Sequence, residues 1–169
     1  IIILVLGFFG GYGIMQSQID DQKEFKGVNL VPIIKEAIKN DGEFKLLVSG
    51  NSMSPVLKDK RDYVYLKSIE NHTLKKGDIV FIRRDTGEYV LHRVYKIIEN
   101  KGFIMNGDAQ GWTEVVRKDQ VIAYVKKIER KGIEIKCSNI IYKFIIFIWM
   151  KLRPYRYKMH YIKRKLKFN

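Results

Sequence analysis

Between Glu43 and Arg130 the chain runs as short alternating apolar segments cut by turn signals, with no helical period between them. Alternation with a period of two puts successive side chains on opposite faces of an extended strand. The spacing predicts strands over Phe44 to Val48, Tyr63 to Leu66, Ile79 to Arg83, Tyr89 to Ile98, Phe103 to Met105 and Val121 to Ile128, with Ile133 to Ile135 as a last addition. Asp41-Gly42, Lys76-Gly77-Asp78, Asp85-Thr86-Gly87, Asn100-Lys101-Gly102 and Asn106-Gly107-Asp108 are the turns between them. Strands so spaced predict a mainly β core, a compact barrel or sandwich. The length of 169 residues suits one domain with a sizeable core.

The flanks read differently. Ile1 to Ile19 carries no charge, and Ile1 to Met15 is almost wholly apolar. A spanning helix needs about 20 apolar residues, so residues 1–19 are expected to be a truncated membrane anchor. A signal-like segment, or upstream sequence with Met15 as the start, are the other readings. Gln16 to Lys26 is a polar linker. From Val28 to Asn40, Leu30, Val31, Ile33, Ile34, Ala37 and Ile38 form one apolar stripe of a short helix that Asn29 is placed to cap. The domain expected over residues 28–136 thus opens on a helix packed against the core.

Charge is unevenly placed. The formal net charge is +14, and Cys137 to Asn169 contains nine Lys/Arg and no Asp or Glu. Ile140 to Met150 is an apolar, aromatic run too short to span a bilayer. With the basic continuation to Lys167 it predicts, for residues 137–169, an amphipathic helix lying on an anionic membrane surface. Its aromatic and aliphatic content favours lipid over nucleic acid, which is not expected as a partner. A helix packed on the core with a solvated basic end is the bland alternative. Cys137 is the sole cysteine, so neither an intrachain disulfide nor a cysteine-rich metal site exists. No cofactor or metal is called for.

Few side chains here suit chemistry. Ser52 lies in Gly50-Asn51-Ser52-Met53-Ser54-Pro55, where Gly50 permits a sharp turn and Pro55 fixes the exit. Such a turn presents a hydroxyl and aims backbone N–H groups at one point, with the Ser52 N–H as first oxyanion donor and Asn51 as helper. A serine needs a base to attack. His92, inside a strand pattern with Val90 and Val94 on its face, has the pKa range for that work. Asp108 follows Gly107 at a strand end, where a carboxylate can fix the tautomer of a histidine. Asp62, Asp78 and Asp85 are rival acids, and His72 and His160 read as surface residues.

Taken together, Gly-Asn-Ser-Met-Ser-Pro at 50–55, Lys-Gly-Asp-Ile-Val-Phe at 76–81, Leu-His-Arg-Val at 91–94 and Asn-Gly-Asp-Ala at 106–109 resemble the superfamily of type I signal peptidases and self-cleaving repressor peptidases. Most bacterial members use a lysine base. The matching place here is His92, as in the histidine-using branch. The resemblance implies a mostly β, signal-peptidase-like fold, Ser52 as nucleophile, His92 as base and Asp108 as third member. It also implies cleavage after small side chains in a peptide or preprotein bound as an added strand. The sequence departs from the pattern at Ala109-Gln110, where Asn often follows the Gly-Asp pair, and at Trp112-Thr113-Glu114, which stands in place of a Ser-x-Asp-Ser-Arg string.

The reading is a membrane-associated serine endopeptidase that removes leader or signal segments. A repressor-type self-cleaving peptidase is the second reading. The stretch before Phe44 is short for a DNA-binding domain, no Ala-Gly or Cys-Gly bond offers a self-cleavage site, and His92 replaces lysine. A non-catalytic basic β-module that binds membrane or peptide is the third.

Overall fold

The computed structural model describes residues 31–99 and 101–156. The expected apolar segment at 1–19, Asn29 and His160 lie outside the described residues. Among those described, helix α1 (Val31–Ala37) precedes strands β1 (Phe44–Leu47), β2 (Asp62–Lys67), β3 (Ile79–Arg83), β4 (Tyr89–Ile98), β5 (Gly102–Asn106), β6 (Glu114–Val116), β7 (Val121–Arg130) and β8 (Ile133–Lys136), and helix α2 (Ile140–Lys151) follows. The strands form one antiparallel sheet in the order β1-β2-β7-β3-β4-β5-β6, with β8 paired to β7.

The fold is mainly β, and the sheet does not close into a barrel. Closure depends on which strands pair, and spacing along a chain does not encode pairing. β1 and β6 stand at the two ends of the order and do not pair with one another, so the sheet stays open. Both faces are covered. Phe44, Leu46, Val64, Leu66, Phe81 and Leu91 join Ile34 of α1 in one apolar cluster. Val80, Ile82, Val94, Met105 and Val116 form a second. A strand buried on both faces needs apolar residues at every position, which explains the unbroken Ile-Val-Phe-Ile of β3.

α1 ends at Ala37, before the Asn40 to which its apolar stripe runs, because the chain tightens into a 3₁₀ turn at Lys39–Asp41, where Asn40 and Asp41 take positive φ. β6 has no counterpart among the predicted strands. α2 begins where Asn139 Oδ1 accepts from the Ile141 and Tyr142 N–H groups, satisfying two otherwise unpaired donors. No helix of the described residues is long and apolar enough to cross a membrane.

Candidate active site

Ser52 sits in the loop between β1 and β2. Gly50 takes a φ of 86°, open to glycine at little cost, and its N–H donates to Asp59 Oδ1 at 2.8 Å. Met53 and Leu57 are buried in the first apolar cluster, which anchors the loop from below. Its far end is tied by Asp62, wholly buried, whose carboxylate accepts from Arg61, Arg130 and the Lys58 N–H. Asn51 is exposed at the turn and Ser52 is half-buried. The Ser52 carbonyl accepts from the Ala109 N–H at 2.8 Å, fastening the loop to the turn that carries Asp108. Among the described residues no hydrogen bond takes up the Ser52 N–H, the expected oxyanion donor.

That fastening demands close approach. A Cβ added at Gly107 would lie 2.7 Å from the Ser52 carbonyl oxygen and 2.5 Å from Gln110 Oε1. Only glycine lets the two backbones meet there. Gln110 Oε1 also accepts from the Gly107 N–H, and Asn106 Nδ2 donates to the Gln110 and Trp112 carbonyls, so the turn after β5 is laced shut. Arg93 pairs with Asn106 across β4 and β5. Gly107 follows Asn106 just past the end of β5, as His92 precedes Arg93 on β4.

His92 is fully shielded from solvent. The Glu114 carboxylate lies against its Nδ1 as a close ion-pair contact, although the angle there is not that of a hydrogen bond. Nε2 has no hydrogen-bond partner among the described residues, Ser52 included. Glu114, on β6, is held by a fork from Arg84, Nε to Oε2 at 2.9 Å and Nη2 to Oε1 at 3.0 Å. Trp112 stands edge-on to the imidazole at 6.0 Å and under the Arg84 guanidinium at 5.7 Å. Burial holds the His92 pKa below its ordinary value, against the opposing pull of Glu114. A buried imidazole with a carboxylate beside Nδ1 and no partner on Nε2 is equipped to take up a proton at Nε2.

Asp108 is placed otherwise. Its oxygens accept from Arg93 Nε at 2.9 Å and Arg93 Nη2 at 2.6 Å, and both side chains are buried. Arg93 also donates to the Gly77 carbonyl, and Arg156 donates to the Asp108 carbonyl at 3.0 Å. The acid against His92 is thus Glu114, while Asp108 pins the turn that abuts Ser52. The rival acids are engaged elsewhere: Asp78 with His72 and the Lys75 N–H, Asp85 with Arg117. His72, half-buried, stacks on Tyr124 at 3.8 Å. Among the described residues no group of His, Cys, Asp and Glu is arranged to hold a metal ion.

Glu114 and Arg84 are the site residues that motif reading does not reach. The one signal available is an acid immediately before two β-branched residues in Glu114-Val115-Val116, a short strand carrying a carboxylate inward. A sequence model described as Peptidase S24-like matches residues 10–110, a span that contains Ser52, His92 and Asp108. No curated protein matches the chain.

Proposed function

This chain belongs to the Peptidase S24-like family, a family of serine peptidases and self-cleaving repressor-type proteins, and from that premise we propose that it is an endopeptidase acting on leader or signal segments of exported peptides. Ser52 is the nucleophile, His92 the base and Glu114 the acid that orients it. The observation that carries this reading is the imidazole itself, buried, with the Glu114 carboxylate against its Nδ1 side and Nε2 without a hydrogen-bond partner among the described residues.

The steps follow from these groups. On substrate binding, the Ser52 hydroxyl comes within hydrogen-bond reach of Nε2, a contact that commonly tightens only in the complex. Oγ attacks the scissile carbonyl while its proton passes to Nε2. Glu114 stabilises the imidazolium so formed. The Ser52 N–H donates to the oxyanion. When the tetrahedral species collapses, the C–N bond breaks and Nε2 returns the proton to the leaving amine. Water, activated by the same imidazole, then cleaves the Ser52 ester and releases the acid product.

Low pKa at His92 serves this sequence, because only the neutral ring accepts a proton. The substrate is read as an extended peptide added to the sheet as a strand, since backbone pairing binds many sequences alike. Incubation with a fluorophosphonate probe, followed by mapping of the labelled peptide, tests the assignment. Labelling is expected at Ser52, absent in Ser52→Ala and strongly slowed in His92→Ala. Labelling that survives both substitutions unchanged rules the proposal out.

A further inference from the structure

α2 is apolar on two sides, and only one of them is covered. Tyr142, Ile146, Trp149 and Met150 face the core, with Ile146 fully packed. At 100° per residue, Ile140, Ile141, Phe144, Ile145, Phe147 and Ile148 occupy an opposite arc of about 160°, interrupted by Lys151 alone. Ile141, Phe144 and Phe147 are each more than half exposed. A helix with apolar residues all round belongs in an apolar setting on every side. Something other than water is therefore the natural neighbour of this face.

The surrounding charge selects the neighbour. Lys143 and Lys151 are exposed on α2, and the chain from Cys137 to Asn169 carries nine Lys/Arg against no acid, of which Arg153 and Arg156 turn inward to the Gly111 and Asp108 carbonyls. A second copy docked here would bring two such cationic segments together without compensation. The uncharged residues 1–15 would cover the face and leave the cations unpaired. Nucleic acid would meet the cations and leave the phenylalanines wet. An apolar slab rimmed by negative charge matches both features. With 12 residues at about 1.5 Å each, α2 is far too short to cross the roughly 30 Å of hydrocarbon, so it lies along the surface.

We infer that the outward face of α2 docks into the headgroup boundary of an anionic lipid bilayer. The peptidase chemistry plays no part in this inference, so the two fail separately. The test uses the whole chain with Cys137→Ser and an environment-sensitive fluorophore on Phe144→Cys, and a second label on Val115→Cys of β6 as reference. Vesicles of phosphatidylcholine with phosphatidylglycerol are expected to blue-shift the label at 144 and expose it to a lipid-borne quencher, leaving that at 115 unchanged. Phosphatidylcholine alone is expected to bind far more weakly. The double variant Phe144→Asp, Ile148→Asp, both at exposed positions, should lower binding to anionic vesicles about tenfold or more while its circular dichroism stays native.

A label at 144 that remains aqueous on bound vesicles overturns the inference. So does equal binding to neutral vesicles. A label already buried without lipid also overturns it: with doubled mass by light scattering the occupant is a second copy, and at monomer mass it is the chain's own remainder. Ser52→Ala is expected to leave every lipid response as it was.

Discussion

His92 carries two opposing demands, to be buried beside a carboxylate and to stay neutral. Burial lowers its pKa and the Glu114 charge raises it, with burial the larger influence. The unfolded chain, with an ordinary value near 6.5, therefore binds the proton first as pH falls. The stability contributed by the neutral buried ring is present above that value and is lost as pH drops towards the depressed folded one. The urea midpoint should fall between about pH 7 and pH 5.5, and His92→Gln should flatten that slope. An unchanged slope in the variant would assign the loss to other groups. Glu114→Gln removes the charge that raises the imidazole pKa, so the acid limb of kcat/KM should move to lower pH while kcat drops about 10⁴-fold. A drop without displacement of the limb would mean that Glu114 acts only in packing. At this scale His92 is legible in the sequence as the histidine that lies inside a strand pattern, with Val90 and Val94 on its face. Glu114 does not, since its partnership with His92 exists only once β6 has paired to β5.

Among the elements, the long strands were legible because alternation is a local property: β3 and β4 begin and end where the pattern does. β6 was not, since three residues with one buried side chain carry too little alternation to recognise. The omission matters, because β6 presents Glu114, the carboxylate against His92. The Gly107 turn also has a role that residue types alone do not disclose. Asn-Gly-Asp announces a turn, but the contact between Gly107 and the Ser52 carbonyl depends on two loops meeting at a strand end. Gly107→Ala must push the Ser52 loop away, as the carbonyl is backbone and cannot swing aside like Gln110. Misplacing a nucleophile by about 1 Å costs about 10²-fold in rate, so kcat/KM should fall by that order with only a modest loss of thermal stability. Full activity in Gly107→Ala would show that the Ser52 loop does not need this abutment. Asp108→Asn tests the same turn from beneath. It strands the buried Arg93 guanidinium without its anion, which costs about 3–5 kcal/mol, and the urea midpoint should report a loss of that size.

Across the whole molecule, the basic end and the site prove to be joined. The run of cations after Cys137 reads as a surface feature, yet two of them turn inward. Arg156 is buried, lies 4.6 Å over the Trp149 ring and donates to the Asp108 carbonyl. Arg153 donates to the Gly111 carbonyl and stacks over Tyr95. Each has one backbone carbonyl, one polar side chain and one ring as partners, Gly111, Asn106 and Tyr95 for Arg153 and Asp108 and Trp149 for Arg156, and these meet only in the folded chain, so nothing in the sequence marks these arginines apart from their neighbours. The consequence is a continuous path of contacts from α2 through Arg156 to Asp108, and from Ala109 to the Ser52 carbonyl. Arg156→Met keeps the bulk over Trp149 and removes the donor. Loss of one such hydrogen bond from a charged group costs about 1.5–3 kcal/mol, and here that cost falls on the turn next to Ser52. Amide exchange at Ala109 and Gln110 should accelerate in this variant, with a matching fall in kcat/KM, while amides of β2 and β7 keep their protection. Faster exchange throughout the sheet would instead make Arg156 a general stabiliser, and unaltered exchange at Ala109 would break the path at its first link.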